Sequence, residues 1–158
     1  MKNYEELKNY EEYEVRVYPN GAKHWYKNGQ LHRPDGPAVE LANGAKHWYK
    51  NGQLHRPDGP AIEHADGNKV WYLNGQLHRT DGPAVEDADG SKVWYINGTP
   101  NRYDGPAIEN ADGSKHWYIE GKQYTEEEFN IEIAKRSQPS CAGKIVEIDG
   151  KKYRLEEL

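Results

Sequence analysis

A single cysteine, Cys141, stands in a chain of 158 residues, so no intrachain disulfide can form and no Cys pair offers a structural zinc site. No apolar run approaches the about 18 residues of a membrane span, and the start of the chain carries no signal-peptide pattern. These absences predict a soluble protein of a reducing cytoplasm. Phenylalanine and methionine occur once each, and only 35% of the residues are hydrophobic. The aromatic load is carried instead by five Trp and twelve Tyr, which suit pleated surfaces and bring a polar handle with them. An excess of basic charge is also missing. Net charge is −5, and residues 20–124 hold 12 bases against 13 acids. A general phosphate-backbone binder needs a basic face, so nucleic acid is disfavoured as a partner, and the acidity is too slight for a nucleic-acid mimic. No G-x-x-x-x-G-K-[ST] loop is present; fourteen of the sixteen glycines follow Asn or Asp, as turn residues do, and the letters HR-x-DG are all that is shared with a kinase catalytic loop.

What is present is a rhythm. The stretch NGAKHWYKNGQLHRPDGPA runs from Asn20 to Ala38 and recurs unchanged from Asn43 to Ala61. Trp25, Trp48, Trp71, Trp94 and Trp117 follow one another at intervals of 23 residues, the mark of a tandem array whose units bury apolar surface mainly against their neighbours. Three regions result: 1–19, an N-terminal segment with a degenerate half repeat; 20–124, the array; and 125–158, a C-terminal helix with a terminal hairpin. Tyr4, Leu7 and Tyr10 fit a short acidic helix before the strand YEVRVY.

Each full repeat reads as two strands and two turns. Lys92 to Ile96 ends at Asn97-Gly98, and Pro106 to Glu109 ends at Asp112-Gly113. Both dipeptides suit two-residue type I′ loops, whose two central residues need positive φ. The predicted fold is all-β, an antiparallel meander of about ten strands. With a two-residue loop at Asp89-Gly90, Val85 faces Trp94 and Asp87 faces Lys92. One face then carries Trp, Val/Ile and Pro with the lysines, the other Tyr, Glu and Ala, and the Trp face is the expected more buried one. Thr125 and Glu128 form a capping box, so Glu126 to about Ser137 is expected to be a helix capping the array. The tail then forms a hairpin turning at Asp149-Gly150, with Ile145, Val146, Ile148, Tyr153 and Leu155 available to pack on the helix. Ten strands at about 4.8 Å span about 45 Å, whereas 13 helical residues span only about 20 Å. Either the sheet curls or a second molecule, such as another copy of the chain, covers the rest.

The most chemical cluster is His-Arg-x-Asp-Gly: His32-Arg33 with Asp35, His55-Arg56 with Asp58, His78-Arg79 with Asp81, and Asn101-Arg102 with Asp104. His beside a carboxylate is the raw material of general acid–base catalysis, but catalysis needs one asymmetric pocket. A ladder of equal copies points to hydrogen bonding between repeats or to a repeated binding surface. The Tyr ladder, Tyr26, Tyr49, Tyr72, Tyr95 and Tyr118, combines strand stacking with the character of an interface. His24, His47 and His116 alternate with Val70 and Val93, which marks them as sheet positions. No metal ligand set is legible, and no cofactor is expected.

The unit W-Y-x-N-G-x-x-H-R-x-D-G-P-A-[VI]-E-x-A-[ND]-G-x-K resembles the MORN repeat, another hairpin unit of this length, and more closely the "HRxDGPA" arrays of tailed bacteriophages. Where a MORN repeat commonly has G-x-G, this chain has Arg-x-Asp-Gly-Pro. The resemblance implies an elongated hairpin sheet acting as a non-enzymatic scaffold for protein contact, in some relatives for dimerisation. A phage origin would make it an accessory protein in the host cytoplasm that inhibits a host defence protein. The candidate binding residues are His32, Arg33, His55, Arg56, His78, Arg79 and Arg102, with Tyr26, Tyr49, Tyr72, Tyr95 and Tyr118 of the Tyr ladder. The alternatives are a binder of nucleotide or carbohydrate using the same ladders, and an enzyme using a His-Asp pair.

Overall fold

The computed structural model describes residues 13–137 and 145–154; the helix expected before Tyr13, Cys141 and Leu155 lie outside the described residues. The chain forms two compact units, Met1–Gln123 and Tyr124–Leu158. Among the described residues it is all-β apart from one helix. A 12-stranded antiparallel meander sheet begins with Tyr13–Val17 and Lys23–Lys27, passes through two strands per repeat, and ends at Lys115–Ile119 and Lys122–Tyr124.

The Asn-Gly turns form as their chemistry dictates. Asn51 and Gly52 both lie at positive φ, 51° and 77°, and the register Lys50↔Gln53 leaves a two-residue loop. In the middle repeats the strand expected to run unbroken from Lys to the Asn-Gly turn is interrupted at Trp, as in Lys92–Val93 and Tyr95–Ile96, and its second half pairs with the short strand after the turn, such as Gln53–Leu54 or Gln76–Leu77, in a two-stranded sheet of its own.

The turns between Glu and Lys differ from expectation. At Ala88-Asp89-Gly90 only Gly90 has positive φ, 95°. The Gly90 N–H donates to the Asp87 carbonyl and the Asp87 N–H to the Ser91 carbonyl, both at 2.9 Å, while the Asp89 carboxylate accepts from the Ser91 N–H at 2.8 Å. This is a three-residue loop, a type I turn closed by a glycine bulge. The register is therefore Val85↔Val93 and Glu86↔Lys92, one residue away from the expected pairing, and a one-residue slip exchanges the faces.

With that register, lysines and glutamates do not lie on opposite faces. They alternate across one face as cross-strand partners, Lys23, Glu40, Lys46, Glu63, Lys69, Glu86, Lys92, Glu109 and Lys115 in spatial order. Each opposite-charge pair contributes about 0.2–1 kcal/mol and opposes slippage. The other face carries the matching ladder His24, Val39, His47, Ile62, Val70, Val85, Val93, Ile108 and His116, confirming the His/Val interchange as a sheet position. Trp25 and Trp117 follow Lys by two residues within continuous strands, Lys23–Lys27 and Lys115–Ile119, so they share the Lys/Glu face and not the Val/Ile one. The N–H groups of Trp25, Trp48, Trp71 and Trp94 donate to the carbonyls of Ala38, Ala61, Ala84 and Ala107 at 2.7–2.8 Å. Those alanines are fully buried, whereas Trp and Tyr are both half-buried. The Trp side is thus not a large apolar core: its indoles stay half-buried beside the lysines.

In the second unit the helix α1, Glu126–Ser137, forms with its capping box: the Thr125 N–H donates to the Glu128 carboxylate at 2.9 Å, and the Glu128 N–H to the Thr125 hydroxyl at 3.2 Å. Phe129 is buried. The terminal hairpin pairs Ile145–Ile148 with Lys151–Arg154. Ile145, Ile148 and Tyr153 stay about half exposed or more, so no well-buried core forms around them.

Candidate functional site

The arginine of each His-Arg-x-Asp-Gly loop folds back over the tryptophan eight residues before it. The guanidinium carbons of Arg33, Arg56, Arg79 and Arg102 stand 4.2, 4.0, 4.1 and 3.8 Å from the ring centroids of Trp25, Trp48, Trp71 and Trp94. A guanidinium fits here where an ammonium would not, because its plane can stack on an indole while its edge still donates hydrogen bonds. In the third repeat Arg79 Nε donates to Asp81 at 2.9 Å, and Nη1 donates to Glu86 at 2.7 Å and to the Pro83 carbonyl at 3.1 Å. The same ion pairs recur in each repeat. The glycine of the motif completes the clamp: a Cβ on Gly82 would lie 2.9 Å from Arg79 Cζ. Arg, Asp, Gly, Pro and Glu of the repeat are thereby explained as one fixture around one guanidinium.

The histidines do not meet those aspartates. The backbone N–H of Asn51, Asn74 and Asn97, each in the turn of the following repeat, donates to Nδ1 of His32, His55 and His78 at 3.1, 3.1 and 3.2 Å. In the fourth repeat the Asn101 side-chain oxygen accepts from the Glu120 N–H at 2.9 Å. His and Asn interchange because each presents an acceptor at the same distance from the backbone. Backbone bonds reinforce the step, the N–H of Arg33, Arg56, Arg79 and Arg102 donating to the carbonyls of Tyr49, Tyr72, Tyr95 and Tyr118. The hydrogen bond to Arg79 holds the Asp81 carboxyl below the usual carboxylate range, and Arg102 does the same for Asp104.

Neighbouring loops leave a cleft between them, and three like clefts follow in a row, of about 640, 500 and 750 Å³. Each is floored by a Trp (Trp48, Trp71, Trp94) and walled by the Arg and Asp of two successive loops. The residue two after the Trp lines it as well: Lys50, Leu73 or Ile96. The rim aspartates Asp35, Asp58, Asp81 and Asp104 keep 81–85% of their side chains in solvent. No protein-family model and no curated protein sequence matches the chain.

The candidate residues therefore divide. Arg33, Arg56, Arg79 and Arg102 line or edge the clefts, but with their charge already shared with two carboxylates. His32, His55 and His78 also line cleft walls while bonding to the next repeat. The Tyr ladder belongs mostly to the other face: Tyr26 has Arg16 over its ring at 4.5 Å, and only Tyr49 lines one of these clefts. Tyr49 is raised above the usual phenol range by burial, and Tyr26 by its hydrogen bond with Tyr18 followed by burial. The tryptophans, the rim aspartates and the Lys50/Leu73/Ile96 series line the clefts without being among the candidate binding residues, although the aspartates belong to the His-Arg-x-Asp-Gly cluster and aromatic stacking belongs to the small-ligand alternative. The constant spacing of eight from Trp to Arg was the available signal. Among the described residues no three His, Cys, Asp or Glu side chains converge as metal ligands, and no helix is long and apolar enough to cross a membrane.

Proposed function

We propose that the chain is a non-enzymatic repeat scaffold that binds an extended segment of a partner protein along the row of clefts. The observation that carries this reading is the repetition itself: three successive clefts of the same make, each with an indole floor, an apolar or aliphatic wall and an exposed carboxylate rim. Each repeat adds two strands to the sheet, so clefts recur about every 9.6 Å. A polyproline-II segment returns a side chain to the same side about every 9.3 Å, which suits one anchor per cleft, and the aspartates favour basic residues between anchors. His-Asp catalysis is disfavoured because the His bonds to Asn and the Asp bonds to Arg. The resemblance to phage arrays makes a host defence protein the candidate source of the segment.

Selection of a random peptide library on the immobilised chain tests this. Enriched peptides should carry apolar residues at a spacing of three with intervening Lys or Arg. They should lose affinity for a variant with Leu73→Lys and Ile96→Lys, changes that copy Lys50 at the equivalent position. Peptides that bind this variant equally well, or no enrichment, would reject the proposal. A small-molecule reading is favoured only by cleft volume, which falls within the range of ligand pockets; nucleotides or sugars that quench Trp fluorescence, with loss of quenching on Asp58→Lys, would replace the peptide reading.

A further inference from the structure

The sheet path begins at Tyr13–Val17, which among the described residues has a strand neighbour on one side only, Lys23–Lys27. Its side chains are well exposed: Val15 and Val17 at 52% and 67%, with Glu14 and Arg16 at 51% and 52% of their side chains. An edge strand with bare apolar residues is a template for pairing with another strand. The arrangement of charge on this one says which strand fits.

Consider two copies meeting edge to edge through a two-fold axis perpendicular to the sheet. Residues of one parity stay on one face in both copies, so the axis must pass through a residue and not between two. An axis at Glu14 sets Glu14 against Glu14 of the second copy, and an axis at Arg16 sets two arginines together. An axis at Val15 sets Val15 against Val15 and Glu14 against Arg16 twice, once in each direction. The Arg16 guanidinium lies 2.7 Å from Glu14 of its own chain and 4.5 Å over the Tyr26 ring of the neighbouring strand, so it must turn outward across the edge to meet the second copy's Glu14, which would stand on the same face.

We infer that the chain forms a two-fold symmetric dimer through antiparallel pairing of Tyr13–Val17 with the same strand of a second copy, in the register centred on Val15. The two sheets then continue into one, with the repeat arrays extending away on either side. A single short strand per partner gives a small interface, so the dimer is in exchange with monomer and not obligate. This surface is separate from the clefts, and the two proposals stand or fall independently.

Analytical ultracentrifugation of the full chain, from micromolar to near-millimolar concentration, tests it. The parent chain should show a concentration-dependent monomer–dimer equilibrium. Glu14→Arg and Arg16→Glu, each alone, place like charges opposite one another at both symmetric contacts and should weaken dimerisation by about tenfold or more. The double variant, Glu14→Arg with Arg16→Glu, restores both opposite-charge pairs and should return dimerisation to within about threefold of the parent. Val15→Lys, which sets two ammonium groups at the axis, should abolish it. Circular dichroism and Trp fluorescence establish that every variant is folded. A parent chain that stays monomeric throughout the range overturns the inference. So does a dimer indifferent to the single reversals, or one that the double variant fails to recover.

Discussion

Replacing Gly82 by alanine should lower stability, against the usual direction. Gly82 has no positive φ, so its backbone is one that alanine adopts freely. At such a site Gly→Ala ordinarily stabilises by about 0.4–1 kcal/mol through the unfolded chain. Here the new methyl would lie 2.9 Å from Arg79 Cζ and 3.0 Å from Nη2. The guanidinium cannot retreat toward Trp71, which closes its other face at 4.1 Å. Sliding sideways stretches its bonds to Asp81, Glu86 and the Pro83 carbonyl. Loss of the stacked contact costs about 0.5–2 kcal/mol, and one weakened hydrogen bond adds about 1 kcal/mol. After the unfolded-state gain is set against these, a net loss of about 1–2 kcal/mol is expected, a few degrees in Tm for a chain of this size. The assay is urea unfolding followed by Trp fluorescence and far-ultraviolet circular dichroism, run as a cycle with Arg79→Ala. With the guanidinium gone the methyl has room, and Gly82→Ala should become stabilising by about 0.4–1 kcal/mol. If Gly82→Ala stabilises the parent chain as much as it stabilises Arg79→Ala, the clamp has no energetic meaning.

Other expectations can be checked on the same instruments. His78→Asn should leave the unfolding midpoint nearly unchanged because an amide oxygen can accept from the Asn97 N–H as Asn101 does from Glu120, whereas His78→Ala should cost about 0.5–1.5 kcal/mol. His47 is held below its ordinary pKa of 6.5 first by burial and then by His64 and His24. The unfolded chain therefore takes up the proton first, and stability falls as pH drops below about 6.5 until the lowered pKa is passed. His47→Val, copying Val70 and Val93, should reduce the difference between midpoints at the two ends of that window; an unaltered pH profile contradicts the assignment. Ala84, fully buried, should tolerate no larger residue, Ala84→Leu costing about 1–3 kcal/mol by overpacking, with a matching fall in the urea midpoint.

Much of the architecture could be read from the chain because its signals are local. The 23-residue period, the Asn-Gly loops with two left-handed residues, and the Thr125–Glu128 box each depend on neighbours in sequence. The side of the sheet did not follow from such signals. Asp89-Gly90 fits either a two-residue loop or a three-residue loop with a bulge, and what selects the latter is the Asp89 carboxylate capping the Ser91 N–H with the aspartate outside the left-handed region. That single choice moves Glu86 from opposite Val93 to opposite Lys92. The clefts were harder still to foresee, since they depend on Arg79 reaching across a turn to Trp71 and on the next repeat supplying the second wall.

The step from repeat to repeat is made of the same few bonds each time, His or Asn to a turn amide, Arg amide to Tyr carbonyl, Glu against Lys. The array is therefore graduated like a ruler, and its length can change only in whole divisions. Removing residues 44–66 would bring equivalent partners together at the new junction, Glu40 meeting Lys69 in place of Lys46. Removing one residue fewer or more would set every later lysine on the wrong side.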